Sequence, residues 1–164
     1  RASWTFSGEG SAQFSAGVGG KYHERRQTRG ATHGKDTVFK LDNGAGSLTD
    51  ISAYLTEAGL DRTVDVAETA TFGDGSKEIL HGLKDGTIPL AGPFDPAVDA
   101  ILDAAFGSAT TKTFEYGPEG STAGDIKYTG ECICTAYSKK GSMSDAARIT
   151  ATLRVSGAVT RTTF

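Results

Sequence analysis

Two long alternating stretches near the C-terminal end constrain this chain more than any other feature. Over residues 126–137, Ile126, Tyr128, Cys132, Cys134 and Ala136 alternate with Lys127, Thr129, Glu131, Thr135 and Tyr137. Over residues 148–155, Ile149, Ala151, Leu153 and Val155 alternate with Arg148, Thr150, Thr152 and Arg154. A period of two sends successive side chains to opposite faces of a strand, so both stretches predict strands with one apolar and one polar face. The intervening SKKGSMSD reads as a loop, and Gly157 as the break before residues 159–164. A length of 164 residues allows one core of ordinary size, with or without an arm, and excludes two full domains.

The rest of the chain favours strands too. Phe39 and Leu41 flank Lys40 ahead of the turn residues Asp42, Asn43 and Gly44. Val64, Val66, Ala70 and Phe72 alternate with Asp65, Ala67, Thr69 and Thr71, the pattern of a half-buried strand. Phe114 and Tyr116 flank Glu115, and residues 117–125 (GPEGSTAGD) form a turn. Residues 47–60 suit either a short helix or an irregular strand. Residues 73–86 read as a long loop, with or without one helical turn, and residues 87–90 as a brief strand that Pro89 confines to an edge, a bulge or a special pairing. One helix is expected at residues 95–106. Asp95 caps it, Pro96 opens it, Val98, Ile101, Leu102, Ala105 and Phe106 form its packing stripe, Asp99 and Asp103 face water, and Gly107 closes it. A helix in a chain of strands packs on the face of a sheet.

Residues 1–34 differ in composition. Glycines interspersed with Trp4, Phe6 and Phe14 precede the basic run containing Arg25 and Arg26, which predicts an arm without its own core ahead of a main domain at residues 35–164. Such an arm is expected to be held by the main body or by a neighbouring subunit. The first 33 residues hold five basic and two acidic side chains, which leaves twelve basic and eighteen acidic in the remainder. An acidic body repels a nucleic-acid backbone and argues against stable DNA binding.

A search for reactive chemistry finds little. His23, His33 and His81 lack metal-like spacing, and the glycine clusters lack the Lys-Ser/Thr of a phosphate loop. The acidic pairs match no calcium-loop pattern. Cys132 and Cys134, one residue apart on one strand face, suit no mutual disulfide and read as small buried hydrophobes. Two cysteines and no charged-then-apolar leader make a reducing compartment the expectation. No enzyme, metal or cofactor is expected, and His81 reads as an exposed or hydrogen-bonded loop residue.

The segments LDNGAGSLTDISAYL (41–55), ETATFGDGSKEILHGLKDGTIPLAGPFD (68–95), TFEYGPEGSTAGDIKYTGE (113–131) and SGAVTRTTF (156–164) resemble the major tail tube protein of long, non-contractile tailed bacteriophages. TFGD followed by GLKDGTI, then FEYGPEG with KYTGE, are the most specific parts, and the resemblance spans about residues 36–164. It implies a mainly β, sandwich-like or barrel-like fold with one flanking helix. Six copies would form a ring whose strands complete a shared β-barrel, and rings would stack into a tube in the virion tail, assembled in the host bacterial cytoplasm. The implied partners are other copies of the chain, the tape measure protein, tail terminator and distal tail proteins, and phage DNA passing without sequence-specific binding.

On that reading Asp61, Asp65, Asp85 and Glu131 are candidates to face the bore. The loop around residues 67–84, with Glu68, Thr69, Phe72, Gly73, Asp74, Lys77, Leu83 and Lys84, is the candidate contact between rings. Two other classes compete: a β-sandwich binding or capsid decoration module, and a small hydrolase built on His81 and nearby carboxylates.

Overall fold

A computed structural model describes residues 34–73 and 75–164. Among the described residues the strands are β1 (Val38–Asp42), β2 (Leu48–Asp50), β3 (Glu57–Ala58), β4 (Asp61–Glu68), β5 (Ile79–Pro93), β6 (Lys112–Gly117), β7 (Ile126–Ser142) and β8 (Asp145–Thr163), with a single α-helix, α1 (Pro96–Ala105). They form one antiparallel sheet in the order β2-β1-β6-β7-β8-β5-β3, and β4 pairs with β5 beside this path. The mainly β fold with one helix matches the expectation. Nothing described bears on the boundary between arm and domain, since Trp4, Phe6, Phe14, Arg25 and Arg26 lie outside the described residues.

Alternation sets the layering. Phe39, Leu41, Ile88, Leu90, Phe114, Cys132, Cys134, Ile149, Ala151 and Leu153 all point to one face and are buried there. Phe39 and Phe114 stack with ring centroids 6.5 Å apart. α1 closes this core with Val98, Leu102 and Ala105 buried and Ile101 partly so. Its first turn is capped as the sequence predicts, the Asp95 carboxylate accepting from the Ala97 N–H at 2.8 Å. Phe106 departs from its expected place: it follows the helix, is half exposed and leans on Tyr137. Asp99 departs too. Instead of facing water it accepts a hydrogen bond from the Tyr137 hydroxyl and pairs with Lys139 at 2.7 Å, which ties α1 to β7.

Three other expectations change, each for a local reason, and one left open is decided. The 138–145 segment is not a loop, because β7 and β8 continue as one long hairpin and leave only Met143 and Ser144 in the turn. A bulge at Thr135 exchanges the faces of the next residues, so Ala136 joins the polar face opposite Thr152 while Tyr137 joins the core opposite Ala151. Gly157 does not end β8. It sits at φ +86° in a bulge between Ser156 and Thr160, a conformation that suits glycine, and pairing resumes beyond it. Residues 47–60 are both things at once: β2, a 3-10 turn at Ser52–Tyr54, then β3.

Pro89 lies within β5, paired across from Thr152. Its carbonyl accepts from the Gly59 N–H at 3.2 Å, so its nitrogen faces the side where β3 supplies only two residues and no ladder donor is missed. Close by, the Tyr54–Leu55 backbone crosses Gly92 so tightly that any Cβ there would collide with the Tyr54 carbonyl.

Candidate assembly surfaces

The β4–β5 hairpin is the first surface the subunit leaves uncovered. Beyond Thr87, β5 parts from β8 and pairs only with β4. Every residue of β4 is exposed, including Val64 and Val66, and so are Ile79, Leu80 and Leu83 on β5. The expected strand is therefore present only as far as Glu68, with Ala70 and Phe72 in the connection, and it is exposed instead of half-buried. The expected long loop is shorter than predicted. Glu68 is in β4 opposite Ile79, Leu83 and Lys84 are in β5, and the connecting segment is residues 69–78. Thr69, Phe72 and Gly73 lie in that connection with Phe72 wholly exposed, Lys77 pairs with Glu68 at 2.9 Å, and Asp74 lies outside the described residues. His81 is exposed on β5 opposite Val66, on a strand and not in a loop.

The second surface is the sheet face turned away from the core. Lys40, Glu115, Lys127, Glu131, Thr152, Arg154, Thr87 and Asp85 share it by register. Glu115 is held between Lys40 at 3.2 Å and Lys127 at 3.3 Å. Burial pushes its carboxyl up, but the two ammonium groups outweigh that and hold it below its ordinary value. Both lysines also stand over the Phe164 ring, at 5.3 and 5.0 Å.

Asp85 accepts from the Gly86 N–H and pairs with Arg154, and both partners lower its pKa. The Glu131 carboxylate accepts from the Thr113 hydroxyl at 2.7 Å. Asp65 shares the open face through β4, opposite a bulge at Gly82 and Leu83. Asp61 shares the open face through its pairing with Thr87. The Tyr116 phenol has a raised pKa, first from burial, then from Tyr128 and least from Asp61. The open face thus carries both signs of charge, which the sequence-level emphasis on carboxylates missed. Lys40, Lys127 and Arg154 were visible only as the polar half of an alternating pattern.

The thiols are not reactive groups. Burial pushes Cys132 up to about 12 and raises Cys134 as well, in line with their reading as small buried hydrophobes. Among the described residues, no group of three or more His, Cys, Asp and Glu side chains is arranged to hold a metal ion, and no helix is long and apolar enough to cross a membrane.

A sheet sealed on one face, polar on the other and extended by an uncovered apolar hairpin belongs to the class of all-β subunits whose remaining edges and apolar area suit burial between chains. A family model for phage tail tube protein matches residues 31–161, and the chain belongs to that family of structural tail proteins. No curated protein sequence matches it. Among solved structures, it is similar to a chain in the virion of a native gene transfer agent particle, with a TM-score of 0.68 and 22% identity over 80% of this chain and 99% of that one. It is also similar to a chain in the tail of an empty gene transfer agent particle refined with C6 symmetry, with a TM-score of 0.65 and 22% identity over 80% of this chain and 99% of that one. The SPP1 tail tube gives a TM-score of 0.65 with 13% identity, over 82% of this chain and 80% of that one. At these identities the likeness is one of fold.

Proposed function

We propose that this chain forms hexameric rings that stack into the hollow tube of a long, non-contractile phage tail. The observation that carries the reading is β4 of the β4–β5 hairpin, which keeps an alternating pattern through Val64 and Val66 and yet is exposed along its whole length. An exposed strand edge and apolar face of this kind is an aggregation hazard in a free monomer and a joining surface in a closed ring. The C6 symmetry of one structural relative supports six copies per ring. The open polar face turns inward on this reading and forms a water-filled bore, with Asp65, Asp85, Glu131 and Asp61 among its candidates. Segment 67–84 meets the next ring.

The tape measure protein occupies the bore during assembly, DNA later passes through it, and terminator and distal tail proteins close the two ends. Assembly takes place in the bacterial cytoplasm. The mixture of charges on the open face suits passage, because paired carboxylates and cations give a phosphate backbone no continuous basic track to adhere to. Residues 1–34 act as an arm that touches the body or a neighbour through Trp4, Phe6, Phe14, Arg25 and Arg26. The chain performs no catalysis.

Negative-stain microscopy of the purified full chain is the test. Hollow tubes are the expected result, and discrete particles at every concentration and salt would instead favour a decoration or binding module. Deleting residues 73–76 should leave a folded subunit that makes no tubes.

A further inference from the structure

The β4–β5 tip and the β7–β8 turn lie at opposite ends of the sheet. Along β5 the register runs from Pro93 opposite Arg148 to Thr87 opposite Arg154, so each step toward the β4–β5 tip leads away from Met143 and Ser144. The two ends differ in chemistry. Residues 68–78 carry three carboxylates, Glu68, Asp74 and Glu78, against the single Lys77, which Glu68 already engages. Phe72 projects from the same segment, wholly exposed.

At the other end a groove of about 260 Å³ is lined by Phe94, Lys139, Lys140, Gly141, Ala147 and Arg148, three cations with no carboxylate among them. Phe94 is exposed there. Lys139 is held by Asp99, and Arg148 rests 3.6 Å from Asp145 on a solvated pair. Lys140 has no ion-pair partner among the described residues.

Resting on the ring-stacking reading above, we infer that this groove receives the β4–β5 tip of a second copy in the adjoining ring, with Phe72 against Phe94 and Glu78 facing Lys140 and Arg148. A head-to-tail stack needs two different surfaces, complementary to each other and set at opposite ends of the subunit. These two surfaces meet that requirement in position, in sign of charge and in each presenting one uncovered aromatic. The charge opposition also sets polarity, since two acidic tips or two basic grooves brought together repel.

The test uses the full chain. Lys140→Glu and Glu78→Lys, made singly, are expected to raise the concentration needed for tube growth at low salt about tenfold with unchanged circular dichroism, and combining them in one chain should bring it back toward wild type. A second pair, Thr71→Cys with Gly141→Cys, should give a ladder of crosslinked multimers on oxidation of formed tubes, with the buried Cys132 and Cys134 taking no part. Single charge variants that polymerise like wild type, a combined chain no better than the singles, or intact tubes of the cysteine pair that do not crosslink would each overturn the inference. Tubes that form normally while Lys140→Glu alters only duplex DNA binding would overturn it as well and assign the groove to nucleic acid. If the wild-type chain itself makes no tubes, the ring-stacking reading fails first.

Discussion

The two halves of β5 lie on one strand and meet two different fates. From Thr87 to Pro93 it runs between β8 and β3, with Ile88 and Leu90 sealed in the core under α1. From Ile79 to Gly86 it pairs with β4 alone, and Ile79, Leu80 and Leu83 remain in solvent. Alternation thus states that a strand has a face to cover. It does not state whether the cover comes from the same subunit or from another. On the proposed reading the first half of β5 serves an assembly and the second the fold, and substitutions in the two halves should separate accordingly.

The largest contrast should come from aromatic truncation. Phe114→Ala removes a ring that is fully buried against Phe39 and should cost the subunit about 3–5 kcal/mol in chemical denaturation. Phe72→Ala should change that stability by no more than about 0.5 kcal/mol, as for an exposed side chain, and yet abolish tube formation. A Phe72 variant that lost stability instead would erase the distinction between the two regions. Next in size is Gly92→Ala, which forces the Tyr54–Leu55 backbone away from β5 and should cost about 1–3 kcal/mol, read as a lowered denaturation midpoint. Asp95→Ala, which removes the helix cap, should follow at about 1 kcal/mol.

The smallest effect is a pH dependence. Glu115 has a folded pKa below its ordinary value, so its contribution is present above the unfolded value of 4.5 and is lost as pH falls through the folded value. Glu115→Gln should therefore flatten stability between neutral pH and the acid limb. An unchanged acid limb in that variant would show that Lys40 and Lys127 contribute nothing through this carboxylate.

The core was legible because its signals are local. Phe39 and Leu41 flank Lys40, the 126–134 stretch alternates with only Gly130 and Ile133 out of pattern, and Asp95-Pro96 opens a helix by capping chemistry alone. What escaped depends on pairing partners. The bulge at Thr135 moves Tyr137 to the core, where it reaches Asp99, and no single-chain pattern announces a bulge. Residues 79–86 looked like a loop because Gly82, Lys84, Asp85 and Gly86 interrupt the apolar run, and the strand forms there because β4 supplies a partner in register. The candidate bore residues were found as carboxylates, whereas their cationic partners Arg154, Lys40 and Lys127 emerged only once the register was known. The groove beside Phe94 was missed for a related reason, since it joins residues some 50 positions apart in sequence.

The most direct measurement is hydrogen exchange across Asp61–Glu68 in the free subunit and in the polymer. β4 pairs with β5 on one edge only, so the amides that point away from β5 have no ladder partner among the described residues. They should exchange rapidly when the chain is dilute and become protected when it polymerises, while the amides of β8 opposite β5 stay protected in both states. Rapid exchange of those β4 amides in the polymer as well, or full protection of them in the isolated subunit, would contradict the account.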